Sequence, residues 1–178
     1  MNNLASDGSN QRKGRMRELI KNQPKRWFPR MLAVVGILFG AVQLFPAQWV
    51  NPTVTADFIA LAAVPEAQAR LLRAACYDCH SHETRWPWYA HIAPVSWRVT
   101  RHVHQGRERL NFSDWPQARP WTVKADLDSV ARALRDASMP PWDYCLLHPS
   151  ANMTSEERLH LAAWMETNTL TLPLRHAL

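Results

Sequence analysis

A chain of 178 residues, 47% of them apolar, can bury one core and still have length for a further segment. Nine tryptophans and thirteen prolines against five glycines suit short helices joined by rigid, aromatic-packed loops, not a glycine-rich β-structure. The net charge of +6 resides in residues 1–30, which carry eight basic and two acidic residues. The remaining 13 of each sign cancel, which argues against a basic nucleic-acid face.

Residues 1–30 read as a basic cytoplasmic segment. The next twenty, MLAVVGILFGAVQLFPAQWV at 31–50, carry no charge, and none appears before Asp57. Twenty helical residues at about 1.5 Å each span roughly 30 Å, the thickness of a bilayer core. The stretch is expected to be a transmembrane signal anchor, with Trp27, Phe28 and Trp49 at the interfaces and the basic flank on the cytoplasmic side. A cleaved signal peptide asks for a shorter basic region and a small-x-small site directly after the apolar run. Phe45-Pro46-Ala47 does not supply that site, and Val54-Thr55-Ala56 lies far from the run. A buried core helix is the other alternative, but this run has no polar face.

Residues 51–64 read as a linker or short partial helix, and residues 65–178 as one small domain. Pro65 and Glu66 suit the first turn of a helix that runs through Leu71, Leu72 and Ala75. It enters Cys76-Tyr77-Asp78-Cys79-His80, the attachment signature of c-type haem. In that chemistry the two thiols add to the two vinyl groups as thioethers, and the adjoining imidazole coordinates the iron. One haem c, covalent through Cys76 and Cys79, is therefore the expected cofactor. A zinc site asks for further Cys or His at close paired spacing, and Cys145 stands alone downstream. A thioredoxin-like pair asks for a βαβ context, whereas the chain here reads helical. Covalent haem attachment occurs outside the cytoplasmic face, where the anchor would put Cys76.

Arg85-Trp86-Pro87-Trp88-Tyr89 is too aromatic and proline-bound for a helix interior, and is expected as a loop against an apolar surface at the haem edge. Pro94 can open a second helix, with Val95, Val99 and Val103 at four-residue spacing and Gly106 near its end. Ser113 is a candidate N-cap for a short turn. A third helix is predicted over roughly Val123 to Ala137, with Val123, Leu127, Val130 and Leu134 on one face. Thr154-Ser155-Glu156-Glu157 has the form of a capping box. It would start a last helix whose apolar face carries Leu159, Ala162, Ala163 and Leu161 or Trp164. No stretch alternates like a strand, so the expected class is all-α.

An electron-transferring haem usually takes a second protein ligand. Met139 is the leading candidate for it. It sits between a helix and two prolines, 59 residues beyond His80, which leaves room to reach the opposite face of the ring. The competing reading is a core gap-filler. Met153 and Met165 are weaker candidates, His148 is the first rival, and His91, His102 and His104 lie on or near the second helix. His82 should point away from the iron. Cys145 reads as a small buried apolar residue, with an intermolecular disulfide as the alternative.

These motifs together resemble the bacterial haem-binding domain family of small c-type cytochrome-like proteins. The residues that carry the resemblance are Cys76 to Thr84, Trp86-Pro87-Trp88-Tyr89, Ile92 to Trp97, Gly106-Arg107 and Leu110 to Trp115. Met139-Pro140-Pro141, Tyr144, Leu147-His148-Pro149 and the final helix through Trp164 complete the set. It covers roughly residues 52–170. His82 departs from the pattern, where asparagine is expected.

The resemblance implies a mono-haem, cytochrome c-like α-fold facing the periplasm, with His80 proximal and Met139 distal. The expected setting is the bacterial inner membrane, crossed once by residues 31–50. The expected partners are that membrane and unidentified redox proteins, with no nucleic acid. Electron transfer leads, with no enzymatic activity of its own expected. Trp86, Trp88, Trp97, Trp115, Trp121 and Trp142 would wall a dry crevice, and Arg85 or Arg98 would pair with the propionates. The alternatives are a haem-based sensor or ligand binder with a displaceable sixth position, a peroxidase-type activity and an assembly subunit.

Overall fold

The computed structural model describes residues 24–115 and 120–168, in two units divided between Pro46 and Ala47. The expected basic segment lies outside the described residues up to residue 23. Among the described residues every regular element is helical, and the β contact is an isolated parallel bridge between Ala56 and Asp114. The all-α expectation is met.

The first unit holds α1, Pro24–Val42. It does not continue to residue 50 as expected. Gln43, Leu44 and Phe45 bond back three residues, tightening the chain out of the α-helix, and Pro46 follows. A residue before proline is sterically biased away from helix, so the stop has a local cause. The apolar part of α1, residues 31–42, rises only about 18 Å. Among the described residues no helix is long and apolar enough to cross a membrane. The last residues of the expected span belong to the second unit. There the Trp49 indole N–H donates to the Ala90 carbonyl at 2.7 Å, and its ring meets that of His91.

The second unit comprises α2 (Phe58–Leu61), α3 (Glu66–Ala75), α4 (Tyr77–His80) and α5 (Val95–Arg109). Further along come α6 (Pro120–Arg135), α7 (Trp142–Leu147) and α8 (Ser155–Asn168), with 3-10 turns at Trp88–His91 and Pro149–Ala151. The α6–α8 pair packs together, and its core joins that of α2 and α3 through Leu72, Leu127, Leu134, Leu161 and Met165. Phe58, Phe112, Trp115 and Trp164 form an aromatic cluster beside it, and Tyr77 of α4 stacks flat on Phe112. The short partial helix expected within residues 51–64 is α2, and the segment is packed into the unit. Asp57 caps α2 through the Ala60 N–H, Phe58 is fully buried, and Thr55, Ala56 and Phe58 bond to the backbone of 112–113.

On α6, Leu127, Val130 and Leu134 are buried as the spacing predicts, with Val123 partly so. The Thr154 capping box forms: the Thr154 N–H donates to Glu157, and the Glu157 N–H donates to the Thr154 hydroxyl. Two faces differ from expectation. On α8 the buried residues are Leu161, Ala162 and Met165, while Leu159 and Ala163 are exposed. On α5 the buried row is Ser96, Thr100, Val103 and Gly106, and Val95 faces out. The row is set by packing against the neighbouring turn, whose backbone comes close enough at Gly106 to leave no room for a side chain.

Candidate functional site

The haem signature is built at a break between two helices. Cys76 caps the C-terminus of α3 with its N–H on the Leu72 carbonyl, and α4 restarts at once. The single turn closes when the His80 N–H donates to the Cys76 carbonyl at 2.9 Å. Cys76 and Cys79 are free thiols, each half-buried. Burial, and next the neighbouring Cys79, push the Cys76 thiol up to about 12. Burial and then the Asp78 carboxylate push Cys79 up to about 11, so both stay protonated at neutral pH.

The His80 ring is oriented by the end of α5. Its Nδ1 lies 3.1 Å from the Leu110 carbonyl. A carbonyl only accepts, so the proton sits on Nδ1 and the lone pair on Nε2. Burial lowers the His80 pKa below 6.5, against the pull of the Leu110 and Gly106 carbonyls, and the ring is neutral at pH 7. A ring N–H donated to the backbone is the usual second-sphere support of a metal-bound imidazole.

Three residues fix this turn in place. Gly106 lets α5 lie directly on it, because a Cβ there would run into the Cys79 carbonyl. Arg107 donates Nε to the Ser81 carbonyl at 2.7 Å, and its other nitrogens reach the Val50 carbonyl, Asn51 Oδ1 and the Thr84 hydroxyl. Asp78, buried between the cysteines, accepts from the Arg85 N–H at 3.0 Å and from the Tyr144 hydroxyl at 2.7 Å. Tyr77 donates to Asp57 at 2.6 Å.

The other sequence candidates fall out as follows. Met139 is 41% exposed and lines a cavity of about 540 Å³ with Ala137, Trp142, Cys145, Met153 and Arg158 among its other walls. Cys76, Cys79 and His80 do not line that cavity. The structure therefore brings the three motif residues together and leaves Met139 on a separate wall. Met153 and Met165 are core residues, consistent with packing. His148 engages both ring nitrogens, Nδ1–H on the Tyr144 carbonyl and Nε2 facing the Tyr89 hydroxyl at 3.4 Å. His82 does the same with the Thr53 carbonyl and the Asn111 side chain, so it is turned to the backbone. His91 lies against Trp49, and His102 and His104 are exposed. Cys145 is half-buried, its Sγ 4.0 Å from the Ala151 carbonyl.

Neither arginine named for the propionates is spare. Arg85 pairs with Asp78 at 3.3 Å and Arg98 with Asp143 at 2.6 Å. Of the six tryptophans expected to wall the crevice, Trp115 belongs to the aromatic cluster, and the Trp121 side chain lies outside the description. Trp88 and Trp142 are 73% and 80% exposed, and Trp97 is exposed to a lesser degree. Trp86 is half-buried, and no hydrogen bond is described for its indole N–H. Exposed aromatic and apolar side chains on these loops are what a large apolar cofactor could cover.

Sequence reasoning overlooked Gly106 as a contact, the Leu110 carbonyl, and the roles of Asp78 and Arg107. A glycine inside a predicted helix was a usable signal for close approach. A backbone carbonyl carries no signal in a sequence at all. With two neutral thiols one turn apart and an imidazole oriented through Nδ1, the residues fit a covalently held haem.

The sequence model of the haem-binding domain family matches residues 37–167. No curated protein and no solved structure matches the chain.

Proposed function

We propose, from the premise that this chain belongs to the haem-binding domain family, that it is an electron carrier with one haem c attached through Cys76 and Cys79. The observation that carries the reading is the bond from His80 Nδ1 to the Leu110 carbonyl at the end of α5, which orients the histidine of the Cys-x-x-Cys-His turn. His80 would be the proximal ligand through Nε2, and Met139 the distal one. The bound group supplies a one-electron ferric–ferrous couple, and a thioether ligand favours the ferrous form. The chain's own part is to hold His80 in one tautomer and to cover the ring with apolar loops. Met139 lines a separate cavity here, so ligation would require its side chain to turn from that wall towards the iron.

The setting we propose is the outer face of the bacterial inner membrane. The support is the apolar run after a basic leader, and the need for covalent haem attachment outside the cytoplasm. Redox proteins there would be the partners. The exposed position of Met139 also favours a second reading, a ligand-binding haem with a displaceable sixth position.

The test is the spectrum of the purified haem protein. For the electron carrier, the ferric form shows a weak band at roughly 700 nm from thioether sulfur on iron. That band disappears in Met139→Ala, and haem stays with the denatured chain unless both Cys76 and Cys79 are replaced. A high-spin ferric spectrum that shifts on adding cyanide, unchanged by Met139→Ala, would reject the carrier and leave the ligand-binding reading.

A further inference from the structure

We infer that Tyr144 is the positioning residue for the sixth ligand, its hydroxyl fastening the Met139 segment to the turn that carries the haem. The inference rests on the His80/Met139 reading above. Its geometry is independent of that reading. Tyr144 lies on α7, five residues beyond Met139, with Pro140 and Pro141 between them and α7 starting at Trp142. The two prolines have restricted φ angles, so the direction of α7 constrains where residue 139 can go.

Several contacts set that direction. The Tyr144 hydroxyl donates to Asp78 Oδ2 at 2.7 Å and lies 3.4 Å from the Ala74 carbonyl. Asp78 stands between Cys76 and Cys79, so a single bond links the attachment turn to the ligand-bearing loop. The carboxylate is 7% exposed, and a hydrogen bond to a buried charge is among the stronger ones. The Tyr144 ring is stacked at 4.0 Å on His148, whose Nδ1–H bonds back to the Tyr144 carbonyl. The neighbouring Asp143–Arg98 pair is largely exposed and holds α7 only weakly. Tyr144, half-buried, is therefore the anchor that ties this loop to the buried Asp78.

The consequence is a specific one. A loop held next to the haem turn presents its thioether at high effective concentration, and one that swings free lets external ligands compete for the iron. Tyr144→Phe keeps the ring and its stacking but removes the donor. Asp78→Asn keeps an acceptor and should have the smaller effect.

The experiment uses the full haem-loaded chain in detergent, comparing wild type, Tyr144→Phe, Asp78→Asn and Met139→Ala. Cyanide affinity of the ferric form and the band at roughly 700 nm are read together with thermal unfolding. The expected result is that Tyr144→Phe retains covalent haem and binds cyanide roughly tenfold or more tightly, as loss of a bond to a charged group allows. Asp78→Asn should lie between it and wild type. If Tyr144→Phe lowers only the unfolding temperature and leaves cyanide affinity at the wild-type value while Met139→Ala opens the iron, Tyr144 is merely structural. The inference is then overturned and the ligation reading stands. A wild type without the band, unaltered by Met139→Ala, overturns both.

Discussion

Gly106 decides how close α5 comes to the Cys76–His80 turn. Replacing it with alanine puts a methyl group against the Cys79 carbonyl, where neither backbone can yield cheaply. Overpacking of this kind costs about 1–3 kcal/mol. Gly106→Ala should lower the free energy of unfolding by that amount and reduce the fraction of chains carrying haem; an unchanged unfolding free energy would mean that α5 can shift. Two phenols also shape the response to pH. Burial, and then the hydrogen bonds to Asp57 and Asp78, raise the pKa of Tyr77 and Tyr144 above the ordinary value of 10.0. Above that value the unfolded chain gives up protons that the folded chain keeps, so stability falls as pH rises. The stabilisation is fully present below pH 10. Alkaline melts should show the loss, and Tyr77→Phe should diminish it.

At the scale of elements, the end of α6 is the most informative joint. Ala137 adopts φ 51°, the left-handed region that favours glycine. The Ala137 N–H bonds to the Leu134 carbonyl and the Ser138 N–H to the Ala133 carbonyl, the paired closure of a Schellman motif. Ala137→Gly should relieve about 1–2 kcal/mol of left-handed strain, less roughly 0.5–1 kcal/mol for glycine's freer unfolded state. A rise of a few degrees in melting temperature is the expected outcome, and a fall would show that the alanine methyl packs usefully in the adjoining cavity. The joint would matter to the proposed ligation because Met139 follows it directly.

At the scale of the molecule, charge and hydropathy divide the chain more sharply than the haem domain alone would need. The exposed apolar side chains of α1, among them Ile37, Leu38 and Phe39, follow a leader that carries the whole net charge. If this run holds the protein at a membrane, the full chain should sediment with membranes, resist high-salt washing and be released by detergent. Release by salt alone would reduce the attachment to the basic leader.

What was legible in the sequence was whatever depends on local order. The Cys76-to-His80 spacing, the 3.6-residue rhythm of α6 and the capping box at Thr154 are properties of neighbours along the chain, and all three appear as expected. What only the tertiary structure decided depends on which backbone lies against which. The buried face of α5 kept Val103 but turned Val95 out in favour of Ser96, Thr100 and Gly106, because α4 sits against it. Phe58, in a stretch expected as a linker or short partial helix, joined the core because residues 112–115 offered backbone partners and aromatic rings. The helix stopped at Val42 because Gln43, Leu44 and Phe45 bond back only three residues and Pro46 follows, interrupting a helix that hydropathy alone would extend. Hydropathy counts side chains, whereas helix length is set by where the hydrogen bonds end.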